Sequence, residues 1–266
     1  MPRKLGQHFL VNRSAIQKII ASLELKNGEV VIEIGPGKGA LTFPLVKQCQ
    51  VSGIKCQVIG IEKDSSLIED LKLKIENSNH ELIHGDALKM LPKIIFNLKS
   101  SILNYKIVGN IPYYITGKLL RVISELENKP TLTVLTIQRE VAERIIAKPL
   151  KMNLLAAAVQ FWAEPKIIGY LKPSDFSPAP EVKSAIIQLD SRVQSITNKE
   201  TERYYKFIKI AFKQPRKTLL NNLSSGLSVD KSKIAEILAQ NALKSDVRPQ
   251  DLSIEKLSTL SRLLIL

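Results

Sequence analysis

Between Val30 and Leu45 a β-branched apolar run, Val30-Val31-Ile32-Glu33-Ile34, passes directly into glycines at alternate positions, Gly35, Gly37 and Gly39, and then into apolar residues at helical spacing. Few architectures use that order. A buried strand, a tight turn whose backbone can approach a ligand, and a helix opening behind it make the first unit of an open, doubly wound α/β sheet. The pattern differs from the dinucleotide fingerprint G-x-G-x-x-G, because the third glycine comes one residue early and an acid, Glu33, stands two residues before the first.

Three further apolar runs each deliver a polar residue at their C-terminal ends, the edge where open α/β sheets bind ligands. Gln57 to Ile61 ends in Glu62, at about the spacing from the glycines that places an acid on ribose hydroxyls. Glu81 to His84 leads into Gly85-Asp86-Ala87, where a carboxylate can accept from an adenine amino group. Lys106 to Gly109 ends in Asn110-Ile111-Pro112-Tyr113. Pro112 stops that strand, leaving the Asn side chain and nearby carbonyls as acceptors for an exocyclic amine, with an aromatic ring beside them on which a base can stack. Any one of these acids also suits a helix N-cap or a solvated turn; their order along the chain is what points to a nucleoside-binding edge.

Strands and helices alternate as far as residue 190, through a β-branched strand at Thr131 to Ile137, a helix at Glu140 to Ala147 and a late strand at Ala185 to Leu189. That alternation predicts a mostly parallel sheet covered on both faces. Ser191 to Glu202 has linker composition, and short helices are expected at Tyr204 to Lys213, Lys217 to Leu223, Lys231 to Asn241 and Ile254 to Leu264, with Pro215 starting the second of them. The chain is therefore expected to divide into an α/β catalytic domain, residues 1–190, and a small all-helical domain, residues 191–266.

Thirty-nine Lys and Arg against twenty-five Asp and Glu give a formal charge of +14, which favours polyanionic partners. Arg203 to Lys217 concentrates basic residues without an acid, and Tyr204, Phe207, Ile208 and Ala211 form a helical stripe suited to burial. Lys206, Lys209, Lys213, Arg216 and Lys217 then face elsewhere, as a phosphate-tracking surface or simply a solvated face. Cys49 and Cys56 lack metal-ligand spacing and are expected as reduced thiols, and His80 and His84 read as surface or turn residues. No metal site is expected. No apolar run reaches the ~18 residues of a membrane span, and the N-terminal motif begins too early to leave room for a cleaved signal, so a cytoplasmic protein without a membrane partner is expected.

The E-x-G-x-G-x-G loop resembles the S-adenosylmethionine loop of Rossmann-like methyltransferases, and the resemblance extends along nearly the whole chain. Gly6-Gln7-His8-Phe9-Leu10, the Gly35 loop, Glu62, Gly85-Asp86-Ala87, Asn110 to Tyr113, Phe176 to Ala185 and Ala211 to Leu219 are similar to successive motifs of the ribosomal RNA adenine dimethyltransferases of the KsgA/RsmA type. That resemblance implies a Rossmann-like methyltransferase sheet with a C-terminal helical, RNA-binding domain. It implies S-adenosylmethionine bound by His8, Leu10, Gly35, Glu62, Asp86 and Asn110, with Asn110 to Tyr113 at the target amine and Tyr113 and Phe176 sandwiching the flipped adenine. The implied reaction is N6-dimethylation of two adjacent adenosines in the 3′-terminal hairpin loop of small-subunit rRNA, by a monomer acting on an immature small ribosomal subunit. Some positions depart from the commoner pattern: His8 stands where Asn is frequent, Pro215 where a second Arg is usual, and Glu181 and Lys183 reverse the frequent charge order. Two other readings share much of the pattern: a large-subunit rRNA methylase of the macrolide-resistance type, and a catalytically idle ribosome-assembly or transcription factor. The Ala211 to Leu219 motif speaks against the first, and intact Glu62, Asp86 and Asn110 against the second.

Overall fold

The computed structural model describes residues 7–51, 55–75, 80–98, 104–192 and 197–265. Gly6, which opens the N-terminal motif, and residues 193–196 of the expected linker lie outside them. In chain order the elements begin β1 (Phe9–Leu10), α1 (Arg13–Ser22), β2 (Val30–Ile34), α2 (Thr42–Val51), β3 (Gln57–Glu62), α3 (Ser65–Lys74), β4 (His80–His84), α4 (Ala87–Leu98), β5 (Tyr105–Asn110), α5 (Thr116–Glu125) and β6 (Leu132–Gln138). They continue with α6 (Arg139–Ile145), α7 (Leu154–Gln160), β7 (Ala163–Leu171), β8 (Phe176–Ser177), β9 (Ser184–Ser191), α8 (Asn198–Ala211), α9 (Leu219–Gly226), α10 (Lys231–Gln240) and α11 (Ile254–Leu264).

Seven strands form one sheet in the order β4-β3-β2-β5-β6-β9-β7. β2 pairs in parallel with both β3 and β5, and β9 closes antiparallel on β6. Every residue of β2 is buried, Glu33 included, which explains why its other four residues are all apolar rather than alternating. Strand order reverses between β2 and β5, so the Gly35 loop and Asn110 leave adjacent strands at the crevice where such sheets take ligands. Gly109 makes that adjacency possible: a Cβ there would stand 2.7 Å from the Ile34 carbonyl oxygen.

A second, two-stranded sheet was not expected. β1 pairs antiparallel with β8, Leu10 opposite Phe176 and Phe9 opposite Ser177. Asn12 N-caps α1 and reaches back to the Asp175 carboxylate at 2.8 Å, tying the N-terminal segment to the same stretch. At the far end of the large sheet, buried Lys106 on β5 binds Glu29 at 2.8 Å and the carbonyls of Leu23 and Glu24, so its charge is fully partnered. Cys49 and Cys56, expected as free thiols, are joined as a disulfide with Cα atoms 5.5 Å apart; the end of α2 and the approach to β3 bring them together.

The chain forms two compact units, residues 1–142 with 165–191, and residues 143–164 with 192–266. The helical unit is thus built from two stretches rather than from a single cut near residue 190. The reason is α7, whose Leu-Leu-Ala-Ala-Ala-Val run packs on α8: Tyr204 and Tyr205 donate to the carbonyls of Ala157 and Ala158 at 3.1 and 2.8 Å, and Phe161 stacks on Tyr204. The segment read as linker already turns helical at Asn198, where Thr197 and Glu200 form a reciprocal capping box. α9 does not begin at Pro215. Thr218 caps it, while Gln214 is held by two hydrogen bonds to buried Asn222, keeping Pro215 in the preceding turn.

No helix among the described residues is long and apolar enough to cross a membrane. Among the same residues, no group of three His, Cys, Asp or Glu is placed to hold a metal ion.

Candidate active site

The loop after β2 is shaped by left-handed backbone at Gly35, Gly37 and Gly39, with φ of 68°, 59° and 84°. Their surroundings differ. A Cβ on Gly37 would press on the Phe9 ring and one on Gly39 on Phe43, whereas one on Gly35 would meet nothing within 4 Å. Gly35 is therefore the point where bare backbone faces open space.

That space is a cleft walled by His8, Phe9, Leu10, Glu33, Gly35, Glu62 and Asn110 to Tyr113. A neighbouring cleft shares Gly35, Glu62 and Pro112 and continues past Asp86, Ala87 and Leu88. His8, Leu10, Gly35, Glu62, Asp86 and Asn110 thus gather around two contiguous hollows, as do Ile111, Pro112 and Tyr113. Phe176 does not join them. It is 4% exposed, lies in the apolar core beneath β1 and lines neither cleft, because pairing with Leu10 turns its ring inward.

Each polar group is held by identifiable contacts. Glu62 is buried and accepts from the Gly37 amide at 2.9 Å and from the Lys63 and Asp64 amides at 2.8 and 3.0 Å. A carboxylate has about four acceptor positions, so Glu62 anchors the glycine loop and keeps capacity for a ligand hydroxyl. Replacement by Ala would therefore release the loop as well as a ligand contact, which the sequence did not disclose. Asp86 caps α4 through the Leu88 amide and pairs with Lys63 at 3.3 Å. Partial burial opposes its ionisation, but the Leu88 bond and the Lys63 and Lys89 charges leave its carboxyl below the usual range.

Asn110 is oriented through its amide nitrogen, which donates to the His8 carbonyl at 2.8 Å. Its Oδ1 takes no hydrogen bond among the described residues and remains an acceptor in the cleft. His8 is placed by strand register: one residue beyond Phe9 opposite Ser177 it falls opposite Pro178, whose carbonyl lies 2.9 Å from His8 Nδ1. Tyr113 is anchored by a 2.6 Å hydrogen bond to Ser184 at the start of β9. Asp175 carries no signal in the sequence, and Pro178 and Ser184 enter only as members of the Phe176 to Ala185 motif; their individual roles depend on pairings that no local pattern announces.

Glu33 also lines the cleft, 1% exposed, accepting from the Thr42 hydroxyl at 2.7 Å. Burial, reinforced by the Glu62 charge and opposed by the Thr42 bond, pushes its carboxyl up to about 8. The acid of the motif is thus held protonated at neutral pH behind the glycine loop.

In the helical unit, Lys206, Lys209, Lys213, Arg216 and Lys217 are all exposed, while Tyr204, Phe207, Ile208 and Ala211 are buried. The five cations occupy one face of α8 and the turn that Asn222 clamps.

Fold and cleft define the class: a Rossmann-like methyltransferase whose methyl donor is S-adenosylmethionine, with a helical C-terminal unit. A profile of the family described as ribosomal RNA adenine dimethylase matches residues 1–260. Proteins named ribosomal RNA small subunit methyltransferase A share 38% identity over 254 residues in Dehalococcoides mccartyi (strain CBDB1) and 36% over 264 residues in Clostridium botulinum (strain Kyoto / Type A2). Those alignments cover 95% and 97% of this chain and 84% and 92% of the two relatives. A crystal structure of a dimethyladenosine transferase from Plasmodium falciparum matches at TM-score 0.77 and 25% identity, covering 97% of this chain and 96% of that one. The 23S rRNA methyltransferase ErmE matches at TM-score 0.72 and 22% identity, covering 96% and 99%, a likeness of fold alone. The chain belongs to the ribosomal RNA adenine dimethylase family.

Proposed function

We propose that this chain N6-dimethylates two adjacent adenosines in the 3′-terminal hairpin loop of small-subunit rRNA, acting on an immature small ribosomal subunit. The observation that carries the reading is the orientation of Asn110: its amide nitrogen is committed to the His8 carbonyl, so its oxygen is presented in the cleft that Gly35 and Glu62 line. S-adenosylmethionine supplies an activated methyl group on a sulfonium. Gly35 lets backbone lie against it, Glu62 offers its remaining acceptor capacity to the ribose, and Asp86 accepts from the adenine amine. The target N6 is a weak nucleophile because its lone pair is delocalised into the ring. Acceptance of its protons by Asn110 Oδ1 and the Ile111 carbonyl draws the amine towards tetrahedral geometry and localises that pair. The proton lost on transfer leaves to solvent, so no strong base is required. Unstacking the target costs least in a loop, which favours a hairpin substrate.

The curated relatives covering most of this chain are named for the small subunit, which supports that substrate over large-subunit rRNA. The exposed cations of α8 and the following turn would track RNA phosphates, and the protein would work in the cytoplasm as a monomer without metal or membrane. The test is single-turnover transfer of labelled methyl from saturating S-adenosylmethionine to immature small-subunit and large-subunit particles. Label confined to small-subunit adenosines is expected; label in large-subunit rRNA alone, or none, would overturn the assignment.

A further inference from the structure

The turn between α6 and α7 holds an exposed leucine in a conformation that leucine resists. Lys151 donates its amide to the Lys148 carbonyl at 3.0 Å, closing a tight turn over Pro149 and Leu150. Pro149 suits the first central position through its fixed φ. The second is Leu150, whose φ of 77° lies in the left-handed region that such a turn ordinarily fills with glycine. Its side chain is 72% exposed, so packing within the chain does little to offset that strain.

The shoulders of the turn are firmly held. Gln160 on α7 donates to the carbonyls of Ile145 and Ala147 at 2.7 and 2.8 Å. Asn153, the N-cap of α7, donates to the Arg144 carbonyl at 2.9 Å. Beyond the tip Met152 is buried, and its amide donates to the Gln250 carbonyl at 3.1 Å. This mount presents the leucine outward with little left to order on contact, which is the condition for a preorganised binding element.

The charges around the tip select its partner. Lys148 and Lys151 flank it and are exposed, as is Arg144 before it. From Arg144 to Ala163 the sequence holds those three cations and no acid. One Pro-Leu pair offers too little apolar area to anchor on a lipid surface. A base face is flat, apolar and bordered by phosphates, and RNA leaves such faces open at loops, bulges and helix ends.

We propose that Leu150 is an apolar wedge for RNA, packing on the face of an unstacked base of small-subunit rRNA while Lys148 and Lys151 pair with the neighbouring phosphates. The inference rests on the rRNA-methyltransferase reading above and concerns docking, not transfer. It gives the strained leucine a purpose that glycine, the easier residue for the turn, cannot serve.

Three variants of the full chain test it: Leu150→Gly, Leu150→Met, and the pair Lys148→Gln with Lys151→Gln. The probe is immature small-subunit particles from cells lacking this chain, with affinity measured at several salt concentrations, folding by thermal melting and S-adenosylmethionine affinity by calorimetry. Because glycine relieves the strain, Leu150→Gly should melt no lower than the wild type. It should nevertheless bind the particles roughly tenfold more weakly at every salt concentration with an unchanged salt slope, the scale of one half-covered leucine. Leu150→Met should bind within about twofold of the wild type, the scale of a few tenths of a kcal/mol. The double lysine variant should instead reduce the slope of log affinity against log salt by about 1.4 to 1.8, for two lost phosphate contacts. Donor affinity should not change in any of them. Wild-type particle affinity in Leu150→Gly would overturn the wedge, as would a melt below the wild type, which would show the leucine packed in the native fold. Self-association in sedimentation, or binding to phosphatidylserine vesicles, that Leu150→Gly abolishes while leaving particle affinity intact would assign the tip to a second copy or a membrane and overturn the RNA partner. Failure of the wild type to bind and methylate the particles would instead overturn the underlying reading, and it is seen in the wild-type arm alone.

Discussion

Glu33 shows how much a single residue of the glycine motif carries beyond its spacing. Its carboxyl is fully buried with one hydroxyl partner, so the fold favours the protonated form and raises it from an ordinary 4.5 to about 8. A carboxyl raised on folding holds a proton between those values that the unfolded chain has released. Its contribution to stability is therefore complete below about 4.5, declines as pH rises towards 8, and is gone above. Glu33→Gln removes that titration while keeping the shape. Urea unfolding at pH 5 and pH 8.5 should find the variant close to wild type at the lower pH and relatively more stable at the higher. A difference that does not change with pH would mean that Glu33 is not held protonated. Glu62, at the same edge, differs in its partners: three backbone amides donate to it, and it pins the glycine loop. The sequence puts both acids at strand ends and does not distinguish their surroundings, because burial and partners are supplied by other elements.

Among the elements, those with strong local signals were legible. β2, β3, β5 and β6 are β-branched runs and stand where their composition put them, and α11 begins and ends at the predicted Ile254 and Leu264. β1 and β8 were not legible, since two-residue strands are defined only by each other, and with them went the placement of Phe176. The Thr197–Glu200 capping box matches the local S/T-x-x-E pattern, but it sits in a polar stretch of linker composition. The basic turn after α8 depends on Asn222, a polar residue 2% exposed inside a helix, whose partner Gln214 lies eight residues earlier. If the cations presented there bind phosphates, the variant Lys206→Gln, Lys213→Gln, Lys217→Gln should weaken RNA binding at every sequence. It should also reduce the slope of log affinity against log salt by about 2 to 3, from three lost phosphate contacts. S-adenosylmethionine affinity should not change. Superimposable salt plots for variant and wild type would show that phosphate recognition lies elsewhere.

At the scale of the molecule, an α/β unit with its ligand edge at the β2–β5 crevice is joined to a helical unit assembled from two stretches of chain. The alternation of strands and helices announced the first. The second was only half visible, because the apolar α7 reads equally well as a helix of either unit until Tyr204 and Tyr205 are seen to hydrogen-bond to its carbonyls. Identity of 34% to 38% with curated relatives along nearly all of the chain agrees with both halves serving one task. The central claim is that the Asn110 cleft dimethylates adjacent adenosines of small-subunit rRNA. Mass-spectrometric mapping of N6,N6-dimethyladenosine in rRNA tests it most directly, in cells carrying the wild-type chain, Asn110→Ala or no copy. Two adjacent dimethylated adenosines in the 3′-terminal hairpin loop are expected with the wild type only, with at least about a tenfold loss for Asn110→Ala, the scale of one removed transition-state hydrogen bond. The same two modifications in all three strains, or modification of large-subunit rRNA instead, would contradict it.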